Sequence, residues 1–92
     1  MNNNKNFKHL RENQFNWLQL YINKPIEGKI RKLYLNFDDV YNFLKNKGFK
    51  SEYNNQFDVF ILRHENINVY LTKDYMVVNG MDIILTRPYN NQ

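Results

Sequence analysis

The sequence contains no cysteine and no alanine, and it has only three glycines and two prolines. Without cysteine the chain forms no disulfide framework and no thiolate metal site, so the core must hold without covalent cross-links. Three scattered glycines leave no phosphate-binding loop, because such loops need closely spaced glycines. The chain also has no continuous apolar block resembling a signal peptide or a membrane span, so we expect a cytoplasmic protein without membrane contact, in the host cytoplasm if it is phage-encoded.

Asparagine, tyrosine and phenylalanine are abundant instead, with 17, 7 and 7 copies in 92 residues. AT-rich codons specify these residues and GC-rich codons specify alanine and glycine, so the bias indicates an AT-rich source genome and the asparagines need no functional explanation. A chain of this length forms one domain with one modest core, to which the large aromatic residues supply much of the apolar volume. We expect residues 1–5 and 90–92 to be disordered tails.

Net charge is +4, and the positive charge is concentrated in the first half of the sequence. Residues 1–50 carry ten basic and four acidic residues (+6), whereas residues 51–92 carry three basic and five acidic residues (−2). The basic residues either form a patch for phosphates or for an acidic protein surface, or they are a solvated surface with cations at a helix end. This predicted basic patch comprises Lys24, Lys29, Arg31, Lys32, Lys45, Lys47 and Lys50.

The N-terminal segment has the apolar pattern of an amphipathic helix. From Phe7 to Tyr21, apolar residues recur at three- and four-residue spacing, which predicts a helix at about residues 5–23. The helix should end before Pro25, because the residue preceding a proline is pushed out of the helical region. Since residues 16–23 also alternate, a strand in that segment is the alternative.

A short strand pattern at residues 30–37 leads into a second helical pattern. Asp38 and Asp39 precede an apolar stripe, and Gly48 follows a basic last turn, which is the usual order of N-cap, helix and C-terminal glycine. We therefore predict a helix at about residues 38–47. The capping position explains the paired carboxylates without a metal or acid–base role.

From residue 57 onward the period changes to two, which predicts four strands at about 57–63, 67–72, 75–78 and 81–86. The strongest turn signal is Asn79-Gly80, because both positions accept positive φ. Two-residue turns here and at Glu65-Asn66 and Lys73-Asp74 fix the register of an antiparallel meander. The predicted cross-strand pairs are Val78 with Met81, Met76 with Ile83, Val69 with Val78, Leu71 with Met76, Leu62 with Val69 and Phe60 with Leu71.

This register collects the large apolar residues on one face of the meander, on which two helices would pack. The predicted fold is α+β, with two helices on a four- to five-stranded, largely antiparallel sheet that ends in the meander. The opposite face is more apolar and aromatic than a solvated face needs. Either a helix or the N-terminal segment covers it, or both helices share the first face and this face binds a partner or a second copy. The predicted partner-binding residues of this face are Tyr70, Tyr75, Ile61, Val77 and Arg63.

The residue types needed for catalysis do not occur at the spacing that catalysis requires. His9 and His64 are far apart, and Ser51, the lone serine, has no adjacent histidine. A His-Glu-x-x-His motif is not completed at His64, because position 68 is asparagine. We therefore predict a non-enzyme without metal or cofactor.

Three function classes are compatible with these features. The first is a non-catalytic binding or inhibitor protein of the phage or mobile-element type, which occludes a surface of a protein or complex that handles nucleic acid; anti-CRISPR proteins are the comparable class, with no shared motif. The second is a ribosome-dependent mRNA-cleaving toxin, whose fold this order of elements resembles, with Arg63, Arg87 and Tyr89 supplying charge and a phenol. The chain departs from that family in lacking a basic sheet. The third class is direct DNA or RNA binding through the basic patch.

Overall fold

The computed structural model describes residues 3–24 and 26–86, including the side chains of residues 10–24 and 26–86. Within this part of the chain the protein forms two helices and one six-stranded sheet, which confirms the predicted α+β class. The sheet has one strand more than the upper limit predicted from the sequence. In chain order the elements are α1 (Asn3–Asn23), β1 (Ile30–Leu33), α2 (Phe37–Asn46), β2 (Lys50–Asn54), β3 (Val59–His64), β4 (Ile67–Leu71), β5 (Tyr75–Val78) and β6 (Met81–Leu85).

The strands lie in the order β1-β6-β5-β4-β3-β2, so consecutive strands β1 and β2 occupy opposite edges of the sheet. β1 pairs with β6 in parallel, and all other pairs are antiparallel. The two edges are separated by five strand spacings, roughly 24 Å. A helix of ten residues is about 15 Å long, so α2 and its flanking residues carry the chain across one face from edge to edge.

The meander has the register predicted from its turns. All six predicted cross-strand pairs are present, from Val78 with Met81 to Phe60 with Leu71. At the last turn Asn79 has φ 48° and Gly80 has φ 85°, the backbone of a two-residue turn that matches the twist of the strands. Local turn chemistry is therefore enough to fix this half of the fold.

β2 is the strand that the sequence analysis did not predict. It pairs with β3 along its whole length, from Lys50 with Arg63 to Asn54 with Val59. Its sequence, KSEYN, contains one large apolar side chain, Tyr53, and therefore shows no clear apolar alternation. β2 is therefore held in the sheet mainly by main-chain hydrogen bonds to its single neighbour, β3, rather than by burial of its side chains.

The structure corrects the predicted start of α2. The N-cap is Asn36 rather than the aspartates, and its side chain accepts a hydrogen bond from the Asp39 backbone N–H at 2.8 Å. Asp39 returns the contact by accepting from the Asn36 backbone N–H at 3.4 Å, which completes a capping box. Phe37 therefore belongs to the helix, and the preceding strand ends at Leu33 instead of residue 37.

α1 begins at Asn3, so its backbone includes residues 3–5 of the predicted N-terminal tail; the predicted tail at residues 90–92 lies outside the described residues. The predicted helix, and not the alternative strand, occupies residues 16–23. Two polar contacts attach α1 to the rest of the domain. The Gln14 side chain accepts a hydrogen bond from the Tyr34 backbone N–H at 3.0 Å, and Arg11 pairs with Asp39 at the start of α2.

The core lies between the two helices and one face of the sheet. Leu18 and Ile22 of α1 and Val40 and Leu44 of α2 are buried in it. From the sheet it takes alternate residues, as the predicted register requires. These buried sheet residues are Leu33, Leu62, Val69, Leu71, Met76, Val78, Met81, Ile83 and Leu85.

Ile83 and Ile84 are neighbours on β6 that face opposite sides of the sheet, and they provide a matched test of this arrangement. Ile83 is fully buried and Ile84 is 45% exposed. We expect Ile83→Ala to lower the free energy of unfolding by about 2–5 kcal/mol, because it removes buried surface and leaves a cavity. Ile84→Ala should cost about 1 kcal/mol or less. Urea denaturation of both variants measures the difference, and equal losses would contradict the assignment of faces.

Candidate functional site

Both helices pack on the same face of the sheet, and the described residues leave the other face uncovered. We call this second surface the open face. Its members alternate along each strand with the core residues, and their cross-strand pairing follows from the register. The open face consists of Ile30, Lys32, Lys50, Glu52, Asn54, Val59, Ile61, Arg63, Asn68, Tyr70, Tyr75, Val77, Asp82 and Ile84.

The centre of the open face is aromatic and aliphatic. Tyr70 lies between Val77 and Ile61 on the neighbouring strands, and Tyr75 lies beside Ile84. Tyr70 is 42% exposed and Tyr75 is 47% exposed. Single exposed apolar residues are normal on proteins, but a contiguous set marks an interaction surface. Four of the five predicted sheet-face residues therefore lie in one continuous apolar area, in which the two tyrosines are exposed and Ile61 is buried, at 9%.

Arg63, the fifth predicted residue of this face, lies at the margin of the apolar area and is paired. Its guanidinium donates a hydrogen bond to the Glu52 carboxylate at 2.8 Å. Asp82 lies on the other side of the centre, beside Val77. The open face therefore carries charges of both signs around an apolar middle.

The predicted basic patch does not form one surface. Its first members lie at or near the β1 edge, where Lys32 faces the open side and Arg31 faces the helices. Its last members lie at the other edge, because Lys45 and Lys47 end α2 and Lys50 begins β2. Lys47 also approaches the Phe43 ring, 5.1 Å from its centroid. The sheet thus separates two basic groups that are close in sequence.

The residues assigned to a toxin reaction do not form a described site. Arg63 is engaged by Glu52, and Arg87 and Tyr89 lie outside the described residues. Among residues 10–24 and 26–86, whose side chains the structure describes, no three histidine, aspartate or glutamate residues come together as a metal site. A shallow depression of about 260 Å³ lies between the helices, lined by Phe15, Asp39, Asn42, Phe43 and Asn46.

Neither helix, in the part of the chain that the structure describes, combines the length and the apolar character of a membrane span.

A second aromatic group lies on the helix side, near the hairpin that joins β2 and β3. Phe60 contacts Phe37, Tyr41 and Tyr53, with ring centroids 4.9–5.4 Å apart. The Tyr53 hydroxyl donates a hydrogen bond to the Asp58 carboxylate at 2.7 Å, which raises the pKa of Tyr53 above its ordinary value of 10.0. Asp58 lies in the turn between β2 and β3, where its backbone is in the left-handed region, with φ 53°. The hydrogen bond therefore links this turn to strand β2.

Asp58→Asn tests the contact, because asparagine tolerates the same backbone conformation but carries no charge. We expect the folded-state pKa of Tyr53 to fall, as measured by carbon NMR of the tyrosine ring during an alkaline titration. In the native chain the hydrogen bond stabilises the fold below the unfolded-state pKa near 10.0. This stabilisation is lost as the pH rises through the higher folded-state value. An unchanged Tyr53 titration in Asp58→Asn would show that the carboxylate is not the cause.

No protein-family model matches this chain, and comparisons with curated proteins and with solved structures give no match either. The function must therefore be argued from the surfaces of the domain.

Three of the open-face residues that were not predicted as site residues shape this surface. Ile84 lies beside Tyr75, Glu52 holds Arg63, and Ile30 extends the apolar area to the β1 edge with 67% of its surface exposed. The faces of Ile30 and Glu52 can be assigned only when the neighbours of β1 and β2 in the sheet are known. No local signal in the sequence specifies those strand pairs. Ile84 follows from the meander register alone.

Proposed function

We propose that this protein is a non-catalytic binding protein whose open face docks on another protein. The observation that carries the proposal is the uncovered aromatic centre of a sheet whose two helices both lie on the opposite side. Tyrosine is frequent at protein interfaces, because its ring provides contact area while its hydroxyl remains hydrated in the free state. Tyr70 and Tyr75 are the central anchors of this surface.

The charge distribution supports a protein as the partner. Lys32, Lys50 and Arg63 are the basic residues of the open face, and Arg63 is paired with Glu52. Asp82 adds a negative charge beside the apolar centre. A nucleic-acid strand lying over the tyrosines would pass both carboxylates, which costs electrostatic energy. A protein with an apolar centre and a mixed polar rim avoids that cost.

The finer proposal is an inhibitor of the phage or mobile-element type that occludes a nucleic-acid-handling protein. Its support is the small size, the AT-rich composition and the positive net charge of +4. A positive charge accelerates encounter with a partner that is acidic or loaded with nucleic acid, while the apolar centre supplies the affinity. In this proposal the protein acts by steric occlusion in the cytoplasm and needs neither cofactor nor metal.

Affinity capture with matched variants tests the docking surface. The tagged protein is incubated with extract of the cells that produce it, with and without nuclease treatment, and bound proteins are quantified by mass spectrometry. We expect Tyr70→Ala and Tyr75→Ala each to weaken binding of the captured partner by about 2 kcal/mol or more, because both lie at the centre of the interface. Trp17→Ala is the control, since Trp17 is a similarly exposed aromatic residue, at 45%, on α1.

Three outcomes would contradict the proposal. Direct nucleic-acid binding would be shown if nuclease or moderate salt abolished capture and the tyrosine variants left capture unchanged. A dimer in light scattering that Tyr70→Lys converts to a monomer would show that a second copy occupies the open face. Growth arrest with cleavage of translated messages, lost in Tyr89→Phe while the fold persists, would identify the toxin function.

A further inference from the structure

β1 is an edge strand with main-chain groups directed away from the sheet. The Asp82 N–H donates to the Lys29 carbonyl at 3.0 Å, and the Thr86 N–H donates to the Leu33 carbonyl at 2.8 Å. Because successive residues of a strand direct their main-chain groups to alternate sides, Arg31 also faces β6. The N–H and C=O groups of Ile30 and Lys32 therefore point outward, and no described residue bonds to them.

The fold closes this outer edge at one end only. Tyr34 is the next residue in the outward series, and its N–H donates to the Gln14 side chain of α1 at 3.0 Å. Gln14 is 9% exposed, so helix α1 covers that end of the edge. Ile30 and Lys32 remain outside this cover, and Ile30 is the most exposed large apolar side chain of any described strand. The opposite edge strand, β2, instead presents Lys50 and Glu52 and no aliphatic residue.

We propose that the outer edge of β1 binds an extended segment of the protein partner, which adds a seventh strand to the sheet. Four main-chain groups, from Ile30 and Lys32, would supply the hydrogen bonds, as in other cases where a strand is added to a sheet edge. The new strand would lie beside Ile30 and Lys32, on the side of β1 away from β6, and would extend the open face. The inference rests on the proposed function, because it names the segment by which the partner docks.

The charges at this edge define the chemistry of the segment. Lys24, Lys29 and Lys32 are exposed, and none forms an ion pair with a described residue. An acidic residue on the added strand would satisfy them, and an apolar residue would pack beside Ile30. Because Lys29 and Ile30 are consecutive and face opposite sides, a segment that alternates apolar and acidic residues would place its apolar residues on the side of Ile30 and its acidic residues on the side of Lys29. A second copy of this chain fits poorly, because pairing β1 with β1 brings the lysines of the two copies within a Debye length.

The test uses the full-length, isotope-labelled protein and a capped octapeptide that alternates valine and glutamate. We expect the largest amide shifts and the slowest hydrogen exchange at Ile30 and Lys32. Two further peptides carry N-methyl groups, one on every valine amide and one on every glutamate amide. Because alternate amides of a strand face one side, one methylated peptide should lose binding ten-fold or more and the other should retain it.

Two protein variants separate main-chain recognition from charge. Lys32→Pro removes one outward N–H, which the β1–β6 pairing does not use, and should weaken the peptide ten-fold or more. Lys32→Gln removes the charge, keeps the N–H and should weaken it less. The Ile83 methyl signals show whether the core is intact. Tyr70→Ala should leave peptide binding unchanged, because Tyr70 does not lie at the outer edge of β1. The experiment therefore tests strand addition at β1 separately from docking on the open face.

Three results would overturn the inference. These are absence of peptide binding, equal loss for both methylated peptides, and equal shifts with a capped valine–lysine peptide or a twelve-nucleotide oligothymidine. In the last case the lysines alone would explain the binding. If capture of a partner still depended on Tyr70 and Tyr75, the proposed function would stand without the added strand.

Discussion

The structure depends on the packing of two helices against one face of a six-stranded sheet. Six strands form a sheet roughly 25–30 Å wide, and two helices of about 10 Å diameter can cover one such face. In the described residues the buried apolar side chains of α1 and α2 all join the cluster on that face. Residues 3–24 and 26–86 contain no third helix with which to cover the other side, so the aromatic open face of the described domain is a consequence of its layer architecture.

Sequence reasoning succeeded where neighbouring residues determine the structure. The meander register follows from three short turns, and a slip of one residue at any of them would place residues such as Val69 on the wrong face. The helix near residues 38–47 follows from its apolar stripe and basic end, although the cap is Asn36, one residue before the apolar Phe37. The sequence is compatible with either a covered or an uncovered Tyr70, because the position of α1 depends on distant contacts.

The two edge strands show why the rest was not predictable. β1 pairs with β6, about fifty residues later, and nothing in its own sequence specifies that neighbour or the parallel direction. β2 has one large apolar side chain, so its pairing with β3 is decided by main-chain hydrogen bonds. Positions such as Ile30 therefore have no assigned face until both partners of the strand pair are known.

The positions of β1 and β2 at the two edges of the sheet also determine where the charged residues of the sequence lie in the folded domain. The basic first half of the chain supplies β1 and the first residue of β2, Lys50, whereas the acidic second half supplies the rest of β2 and the four strands between the two edges. A charge that is polarised along the sequence thus places basic residues at both edges of the sheet, on either side of an apolar centre. A nucleic-acid strand needs a continuous positive path, whereas a protein with an apolar centre and acidic margins matches this pattern. The topology of the sheet therefore supports the proposed protein partner, whereas the charge distribution along the sequence is compatible with both a binding patch and a solvated surface.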